Sequence, residues 1–400
     1  MKIWQLDPAS MTVYYDLSVC SGLAQAGHEV TFITSKSLYD ARIKLPTHVE
    51  TRFHYFRWLE HQGLLKAPRL RKALRALSYP ADHLRLMPIM RREQPALVHL
   101  QWSRVPVFDR WLVIQIKKMG IPVVHTIHDV EPLFSQGRFS GRLEEVYALV
   151  DAFVVHGPEN YQRFLQHYPA LRPDTVHQVP MVVDDDPYLP QHATQTLARQ
   201  RLGIPLDRTV ILSFGAIKHY KGLDILAQIM PDVLERHPEV MIWIVGKPER
   251  ASDLKPFENF ISHPQVHIHS DYVPSDEAWC YHLAADVMVF PYRQITQSAA
   301  LLTALNYGIP AIATRIGGLP ELVQDNGWLV PPEDPRALKQ ALLEAIARKP
   351  YLAAIGTAAA ERIRKYHQPQ AVASQLIGIY EALIRTSAPG LPSQRVSRSV

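Results

Sequence analysis

Short apolar runs alternate with longer amphipathic segments along the first half of the chain. The apolar runs have the length of strands and end at Gly, Pro or polar residues. They predict strands at Ile3–Leu6, Glu29–Thr34, Leu97–Gln101, Pro122–Ile127, Ala152–His156 and Val176–Val179. The segments between them predict helices at Tyr14–Ala26, Arg110–Met119, Arg142–Leu149 and Pro158–His167. Strands and helices in this alternation form a parallel sheet with helices on both faces.

The second half repeats the same alternation. Its apolar runs predict strands at Val210–Phe214, Val266–His269, Val287–Phe290 and Ile309–Thr314, and Pro369 precedes a last long helix at Gln370–Ile384. The polar sequence Asp184-Asp185-Asp186-Pro187 separates the halves, which argues against one closed barrel. We therefore predict two doubly wound domains at 1–185 and 186–369, a C-terminal helix at 370–386, and a disordered tail at 387–400, where the chain is rich in Pro, Ser and Arg.

One loop in the second half places two lysines between glycines. The strand Val210–Phe214 is followed by Gly215, Lys218, Lys221 and Gly222, and then by an amphipathic helix. Lysines are most often solvated surface residues. Here they cluster at the carboxyl end of one strand, where two flexible cations suit a diphosphate.

A second loop presents a helix N-terminus. The sequence PYRQITQSAALLTALNYGIPAIATRIGGLPE, residues 291–321, predicts a polar loop, a buried helix that ends at Gly308, a strand and a Gly-Gly turn. Free backbone N–H groups at such a helix start attract phosphates. The alternative is an ordinary βαβ unit whose glycines only turn the chain.

Together these segments resemble the donor-binding half of GT-B glycosyltransferases, in particular retaining family 4. The matching pieces are FGAIKHYKGLDIL, MIWIVGKPE, DYVPSDEAWCYHLAADVMVFPY and the segment that begins PYRQITQSAALL. In the first half the resemblance is looser and includes LAQAGHEVTFITS, PALVHLQW and GIPVVHTIHDVEP. These motifs are specific in combination and weak singly.

The resemblance implies a GT-B fold, two Rossmann-like domains that face each other across a cleft, with the last helix crossing back to the first domain. It implies an acceptor-binding first domain and a second domain that binds a nucleotide-diphospho-sugar, with retention of configuration at the sugar. The implied donor-binding residues are Gly215, Lys218, Lys221, Asp271, Gln297, Ser298, Ala299 and Glu321. The implied catalytic residues are His128 and Asp129, in the loop that follows a strand. For Glu321 a role in starting its own helix is the stronger interpretation.

One departure from the family concerns two glutamates that lie eight positions apart around this loop and helix. Aligned on Gly308, their positions hold Ile295 and Thr303. The family's first glutamate faces the sugar hydroxyls and its second faces the ribose. Two interpretations therefore remain open: an active glycosyltransferase with a variant loop, or a non-catalytic nucleotide-sugar-binding homologue or partner subunit.

Composition narrows the class of protein. The chain has 400 residues, 47% hydrophobic and 20% charged, which are globular values. Cys20 and Cys280 are its only cysteines, so a disulfide framework is excluded. It contains no CxxC or HExxH spacing, no signal peptide and no apolar run of membrane-spanning length. We predict a cytoplasmic enzyme with no metal site and no cofactor besides the donor.

The net charge of +5 is concentrated in one stretch. Between Arg52 and Arg92 arginines and lysines are interleaved with aromatic residues and leucines, which predicts a basic helix with an apolar face. Such a helix can lie on the inner, anionic face of a membrane. An ordinary domain helix with a basic polar face explains the pattern equally well. No nucleic-acid motif accompanies the charge, so we expect no nucleic-acid partner. The expected acceptor is a glycan or a lipid-linked molecule in cell-surface polysaccharide or glycolipid biosynthesis.

Overall fold

The structure, a computed structural model, describes residues 1–36, 43–60, 68–130, 140–183 and 186–387. Within these residues the first domain has seven parallel strands in the order β3-β2-β1-β4-β5-β6-β7. They are β1 Lys2–Asp7, β2 Glu29–Thr34, β3 Glu50–Phe53, β4 Leu97–Leu100, β5 Val123–Ile127, β6 Ala152–Val155 and β7 Val176–Gln178. The strand order reverses between β1 and β4, where open α/β sheets place their ligands.

The second domain has the same winding. Its described strands form a six-stranded parallel sheet in the order β10-β9-β8-β11-β12-β13. They are β8 Thr209–Phe214, β9 Val240–Val245, β10 Val266–His269, β11 Val287–Phe290, β12 Ala311–Thr314 and β13 Gly327–Val330. The predicted GT-B architecture of two Rossmann-like domains is confirmed.

Helices cover both faces of each sheet. Those of the first domain are α1 Val13–Gln25, α2 Arg57–Glu60, α3 Pro68–Glu93, α4 Pro106–Lys118, α5 Ser140–Tyr147 and α6 Pro158–His167. The second half contains α7 Gln195–Leu202, α8 Leu223–Arg236, α9 Ser275–Ala284, α10 Ala299–Asn306, α11 Leu319–Val323, α12 Pro335–Ala347, α13 Lys349–His367 and α14 Pro369–Ser387. Because the central strands of both sheets are buried on both faces, they read in sequence as continuous apolar runs. Among the described helices, none is both long enough and apolar enough to pass through a bilayer.

The chain passes between the domains at two adjacent segments. The backbone N–H of Val183 donates to the carbonyl of His367 over 2.9 Å, and Nδ1 of His367 lies 2.8 Å from the Met181 carbonyl oxygen. Beyond this crossing, α14 packs on α1 and contributes Val372, Ala373, Leu376 and Tyr380 to the core of the first domain. The polar pair Asp184-Asp185 and the tail after Ser387 lie outside the described residues.

The stretch from Arg52 to Arg92 is not the single basic helix that the sequence predicts. Arg52 lies in β3 and forms ion pairs with Glu50 at 2.7 Å and Glu93 at 2.8 Å. Arg75 points inward on α3, with its guanidinium 4.0 Å from the centre of the Phe56 ring. Two arginines of this stretch are therefore bound to protein groups and are not free surface cations, which the sequence pattern alone does not show.

Candidate active site

The cleft forms where the carboxyl ends of the two sheets meet. On the first domain, His156 and Gly157 follow β6, and on the second Gln297 follows β11. The side-chain amide of Gln297 donates to the carbonyl of His156 over 2.8 Å. At another point of the cleft, the hydroxyls of Tyr14 and Ser275 are hydrogen-bonded across the domains. Residues that follow strands in both sheets therefore line one interdomain space.

The phosphate-binding corner of the second domain centres on Lys221. Gly215 follows β8 with φ of +112°, and a Cβ atom there would lie 2.9 Å from the Lys221 Nζ. The lysine is only 9% exposed, and its Nζ lies 5.6 Å above the Tyr292 ring. Burial, and then the nearby charge of Lys218, lower its pKa to about 8. Among the described residues no carboxylate contributes to this pKa, and a buried ammonium without such a partner is costly, which favours an anionic ligand at this position.

Lys218 lies in the same corner but carries a partner. Its Nζ is 3.2 Å from Glu249 Oε1, and its side chain is 23% exposed. Its charge lowers the pKa of Lys221, which places the two cations within electrostatic reach. The structure thus brings the two predicted lysines together, and it differentiates them: one is buried and the other forms an exposed ion pair.

The N-terminus of α10 borders this corner. Ser298 caps the helix, and its buried Oγ accepts a hydrogen bond from the backbone N–H of Leu301 over 3.1 Å. The Ser298 side chain also hydrogen-bonds Tyr292. Ala299, the first helical residue, is exposed. The serine hydroxyl is therefore committed to the cap, and the exposed backbone at Ala299 is the part that can meet a phosphate.

Neither position of the missing glutamate pair offers a carboxylate. Ile295 packs against the apolar core of the second domain, and Thr303 is half-buried on α10. The backbone at Ile295 packs closely against Gly317, where a Cβ atom would overlap the Ile295 carbonyl oxygen. Any sugar contact on this side must come from other groups.

Gln297 and Glu321 bridge the domains. The Glu321 carboxylate lies against Gly157 and accepts a hydrogen bond from the backbone N–H of Glu159, at the N-terminus of α6. A side chain at Gly157 would overlap this carboxylate, and one at Gly318 would overlap the Gln297 amide. Burial raises the pKa of Glu321. Both residues thus make interdomain contacts, which the sequence does not predict because their partners lie more than a hundred positions away.

His128 lies half-buried at the end of β5, in a ring of aromatic side chains. Trp102 stacks on it with ring centres 4.9 Å apart and 15° between the planes, and the Tyr15 ring meets its edge at 4.9 Å. Its Nε2 is 3.1 Å from Gln101 Oε1. Burial, with smaller contributions from His156, His125 and His99, lowers its pKa well below the ordinary value. The imidazole is therefore neutral at pH 7.

Asp129 adjoins His128 and faces the second domain. It is half-buried, and burial raises its pKa to about 6. Its charge acts on Tyr220, whose pKa it helps to raise after burial. Tyr220 lies in the 3-10 helix His219–Lys221, so the predicted catalytic loop faces the predicted phosphate loop across the cleft.

The other histidines of this face are structural. His125 is 3% exposed, with its Nε2 3.0 Å from Ser103 Oγ and its Nδ1 2.8 Å from the Thr126 carbonyl oxygen. His99 lies between Thr126 and the Tyr380 hydroxyl of α14 at 2.7 and 2.6 Å. Burial lowers the pKa of His99 to about 3 and that of His125 to about 4. Both are uncharged hydrogen-bonding groups of the core.

Sequence reasoning missed a buried acid pair beneath the cleft. Asp7 ends β1 and accepts the backbone N–H groups of Ala9 and Thr12, while Asp16 on α1 accepts from the Gln5 amide. Burial raises the pKa of both carboxyls, and each influences the other. The pair fixes the loop between β1 and α1. Gln101 and Trp102 were also missed as site residues, although they directly follow the strand β4.

Asp271 stands apart from this constellation. It is exposed just after β10, an edge strand of the second sheet. Among the described residues, no group of three or more His, Cys, Asp or Glu side chains is arranged to hold a metal ion.

Family models match both halves of the chain. The model described as Glycosyltransferase Family 4 matches residues 15–187, and the model described as Glycosyl transferases group 1 matches residues 208–348. The two glycosyltransferase models thus match successive halves of a chain that has the GT-B fold.

Curated relatives include D-inositol 3-phosphate glycosyltransferases. The protein from Xylanimonas cellulosilytica is 32% identical over 278 residues, which cover 63% of this chain and 64% of the relative. The protein from Corynebacterium diphtheriae is 28% identical over 289 residues, which cover 68% of this chain and 67% of the relative. The chain thus matches about two thirds of the length of these relatives.

Solved structures share the fold at low sequence identity. Sucrose-phosphate synthase from Thermosynechococcus elongatus superposes with a TM-score of 0.73 at 20% identity, covering 96% of this chain and 99% of that one. HepE from Anabaena, in complex with UDP-glucose, superposes with a TM-score of 0.69 at 14% identity. The superposition covers 96% of this chain and 100% of HepE.

Proposed function

We propose that this protein is a glycosyltransferase that moves a sugar from a nucleotide-diphospho-sugar to an acceptor bound at the first domain. The observation that carries the proposal is the buried Lys221 beside Gly215, in a loop whose neighbouring residue Tyr220 is within electrostatic reach of Asp129 across the cleft. A buried cation against a glycine backbone is suited to a diphosphate. The curated relatives and the UDP-glucose complex of HepE support a nucleotide sugar as the donor.

Each face of the cleft has its own task in the proposed transfer. Lys221, assisted by Lys218 and the exposed start of α10, holds the diphosphate and stabilises the charge that develops as it leaves. The neutral His128, oriented by Gln101 and Trp102, contacts the donor sugar near the reacting carbon. Asp129, with its pKa near 6, is ionised at pH 7 and positions the acceptor hydroxyl by accepting a hydrogen bond from it.

Transfer proceeds with retention of configuration in this proposal. The acceptor hydroxyl attacks on the face that the diphosphate leaves, and a phosphate oxygen accepts its proton. The support is the resemblance to retaining family 4. Nuclear magnetic resonance of the product tests it: the anomeric configuration of the donor should be kept, and an inverted linkage would overturn it.

The experiment for the activity itself is release of free nucleoside diphosphate from a panel of nucleotide sugars, with and without glycan and lipid-linked acceptors. We expect acceptor-dependent release, and we expect Lys221→Met to abolish it without unfolding the protein. The exposed Lys255→Met is the matched control and should leave release unchanged. A protein that binds a nucleotide sugar with no release on any acceptor would instead be the non-catalytic homologue, which the absent acids at Ile295 and Thr303 favour.

The proposed setting is the cytoplasm, at the inner face of a membrane that carries a lipid-linked or polysaccharide acceptor for the cell surface. The support is an exposed apolar stripe on α3. Leu70, Leu77 and Leu84 lie seven residues apart on one face and are 46%, 73% and 59% exposed. Arg85 and Arg92 on the same helix are 64% and 77% exposed and can meet anionic lipid.

Liposome sedimentation tests this setting. Wild type should bind vesicles of anionic lipid at low salt and dissociate at high salt, because each surface cation contributes roughly 1 kcal/mol. Replacing Leu70, Leu77 and Leu84 with Ser should abolish binding, whereas Leu206→Ser, an exposed leucine of the second domain, should not. If the wild-type protein does not bind anionic vesicles at low salt, the membrane setting is wrong and the acceptor is a soluble molecule.

A further inference from the structure

A cavity of about 880 Å³ lies beside the segments where the chain crosses between the domains. Its walls come from residues 178–181, from α11 and from the end of α13, so both domains and their connection form it. Gln297 and Glu321 line it, but Lys218, Lys221 and His128 do not. The volume is that of a small-molecule site.

The polar lining of this cavity is rich in planar amides and balanced in charge. Amides and carboxylates line it at Gln178, Gln297, Gln324, Gln375, Glu321 and Glu361. Arg362 and Lys365 also line it, so two cations face two carboxylates. Side-chain amides both donate and accept hydrogen bonds, as adjacent sugar hydroxyls do. The balance of charge disfavours a phosphorylated ligand and suits a neutral one with many hydroxyls.

Two buried nitrogen atoms in the residues of this wall have no hydrogen-bond partner among the described residues. They are Nε2 of His156, a residue only 2% exposed, and Nε of Arg362. The Nδ1 of His156 and both terminal nitrogens of Arg362 are already bonded to carbonyl oxygens. Buried polar groups are nearly always paired, so these two nitrogens leave unused hydrogen-bonding capacity in the wall behind the cavity surface.

Gln324 is held in a strained backbone conformation at the same cavity. Its φ of 44° and ψ of −123° lie in a region that glycine adopts freely and that residues with a side chain avoid. Such strain persists where the surrounding structure enforces it, often at ligand sites. Beside it, the ring of Tyr366 is 48% exposed and offers a flat apolar surface. A glutamine at position 324 keeps an amide at the cavity that a relaxed glycine would remove.

We propose that this cavity binds a neutral carbohydrate, in a site separate from the diphosphate corner. The amides and carboxylates bond the hydroxyls, and Tyr366 packs on the apolar face of a sugar ring. Because the walls belong to both domains, the bound sugar also holds the domains in one arrangement. It is therefore coupled to nucleotide binding in the cleft, and the coupling is reciprocal.

The test is direct binding of unphosphorylated sugars, measured by saturation-transfer nuclear magnetic resonance with glucose, galactose, mannose, maltose and cellobiose. At least one should bind saturably to wild type. Gln324→Gly should weaken that binding roughly threefold to tenfold, the effect of one lost hydrogen bond. The Gln324→Gly variant should have an unchanged or higher thermal midpoint of unfolding, because glycine relieves the backbone strain at position 324. Gln375→Ala should weaken binding similarly, and Gln340→Ala, an exposed glutamine on α12, should have no effect.

Nucleoside diphosphate binding separates this site from the donor site. Lys221→Met should weaken UDP binding roughly tenfold or more and keep sugar binding, whereas Gln324→Gly should keep UDP binding in the absence of sugar. The proposal is overturned if no sugar saturates the protein, or if Gln324→Gly and Gln375→Ala leave sugar binding unchanged. It is also overturned if Lys221→Met abolishes sugar binding, or if pyrophosphate alone occupies the cavity.

Discussion

The two faces of the cleft differ in the kind of side chain that they present to a ligand. The second domain presents charge: Lys221 and Lys218 lie beside a glycine turn and a helix N-terminus. The first domain presents neutral rings, with His128 held between Trp102 and Tyr15 and kept uncharged by burial. A cationic face suits a leaving diphosphate, and a face of ordered neutral rings beside the Asp129 carboxylate suits a sugar and its acceptor.

The largest effect that would test this comparison is removal of the buried charge. Lys221→Met keeps most of the side-chain volume and should weaken UDP binding by about 1.5–3 kcal/mol, the range for a charge-assisted hydrogen bond. Uridine, which has no phosphate, should bind equally well to both proteins. Isothermal titration calorimetry measures both ligands, and equal losses for UDP and uridine would show that Lys221 does not contact the diphosphate.

The same substitution should not destabilise the fold. Burial lowers the pKa of Lys221, so in the folded state the charge is a cost at every pH below the unfolded value. Lys221→Met should therefore have an equal or higher thermal midpoint at pH 7. A large fall in the midpoint would mean that the loss of binding reflects misfolding.

The second effect concerns the contact that joins the faces. Gly157→Ala should destabilise the interdomain arrangement, because its Cβ would overlap the Glu321 carboxylate. Gly27→Ala is a matched control: its φ is 86° against 87° for Gly157, and nothing lies within 4 Å of its added Cβ. Both substitutions place a side chain at a positive φ, and we expect Gly157→Ala to lose about 1–3 kcal/mol more than Gly27→Ala because it also meets the Glu321 carboxylate.

Denaturant unfolding of the two glycine variants gives this difference. Adding Glu321→Ala to Gly157→Ala should recover part of the loss, because the overlapping carboxylate is gone. Equal losses in Gly157→Ala and Gly27→Ala would mean that the domains do not close on each other in solution.

The sequence predicted the second face better than the first because its chemistry is local. Gly215, Lys218 and Lys221 lie within one loop. Ser298 caps α10, which begins at the next residue. In both places the spacing of neighbouring residues in the sequence is enough to indicate a phosphate-binding group. The first face is assembled from α1, β4, β5 and β6, and no short window contains Tyr15, Trp102 and His128 together. The alternation of apolar runs was enough to predict the fold. It could not predict which side chains meet across it, such as Gln297 and His156.

The third effect separates the faces by pH. UDP binding should be full below about pH 8 and fall by up to about tenfold per unit above it, as Lys221 loses its proton. Lys218→Ala should move this loss to higher pH, because the charge of Lys218 lowers the pKa of Lys221. Transfer should in addition fall below about pH 6 as Asp129 becomes protonated. A UDP affinity that is flat from pH 7 to 10 would contradict the assignment of Lys221.

The smallest expected effect is that of a chelator. In metal-dependent transferases a divalent ion neutralises the diphosphate, and here the second face offers Lys221, Lys218 and the start of α10 for the same purpose. The one Asp-x-Asp spacing in the sequence, Asp184 to Asp186, begins outside the described residues. UDP affinity and sugar transfer should therefore be unchanged by EDTA. The sharpest measurement combines EDTA with Lys221→Met, because a metal ion that shares the task of the lysine would make the variant more sensitive to the chelator than wild type. Loss of transfer in EDTA that magnesium or manganese restores would show that the cationic face is incomplete without an ion.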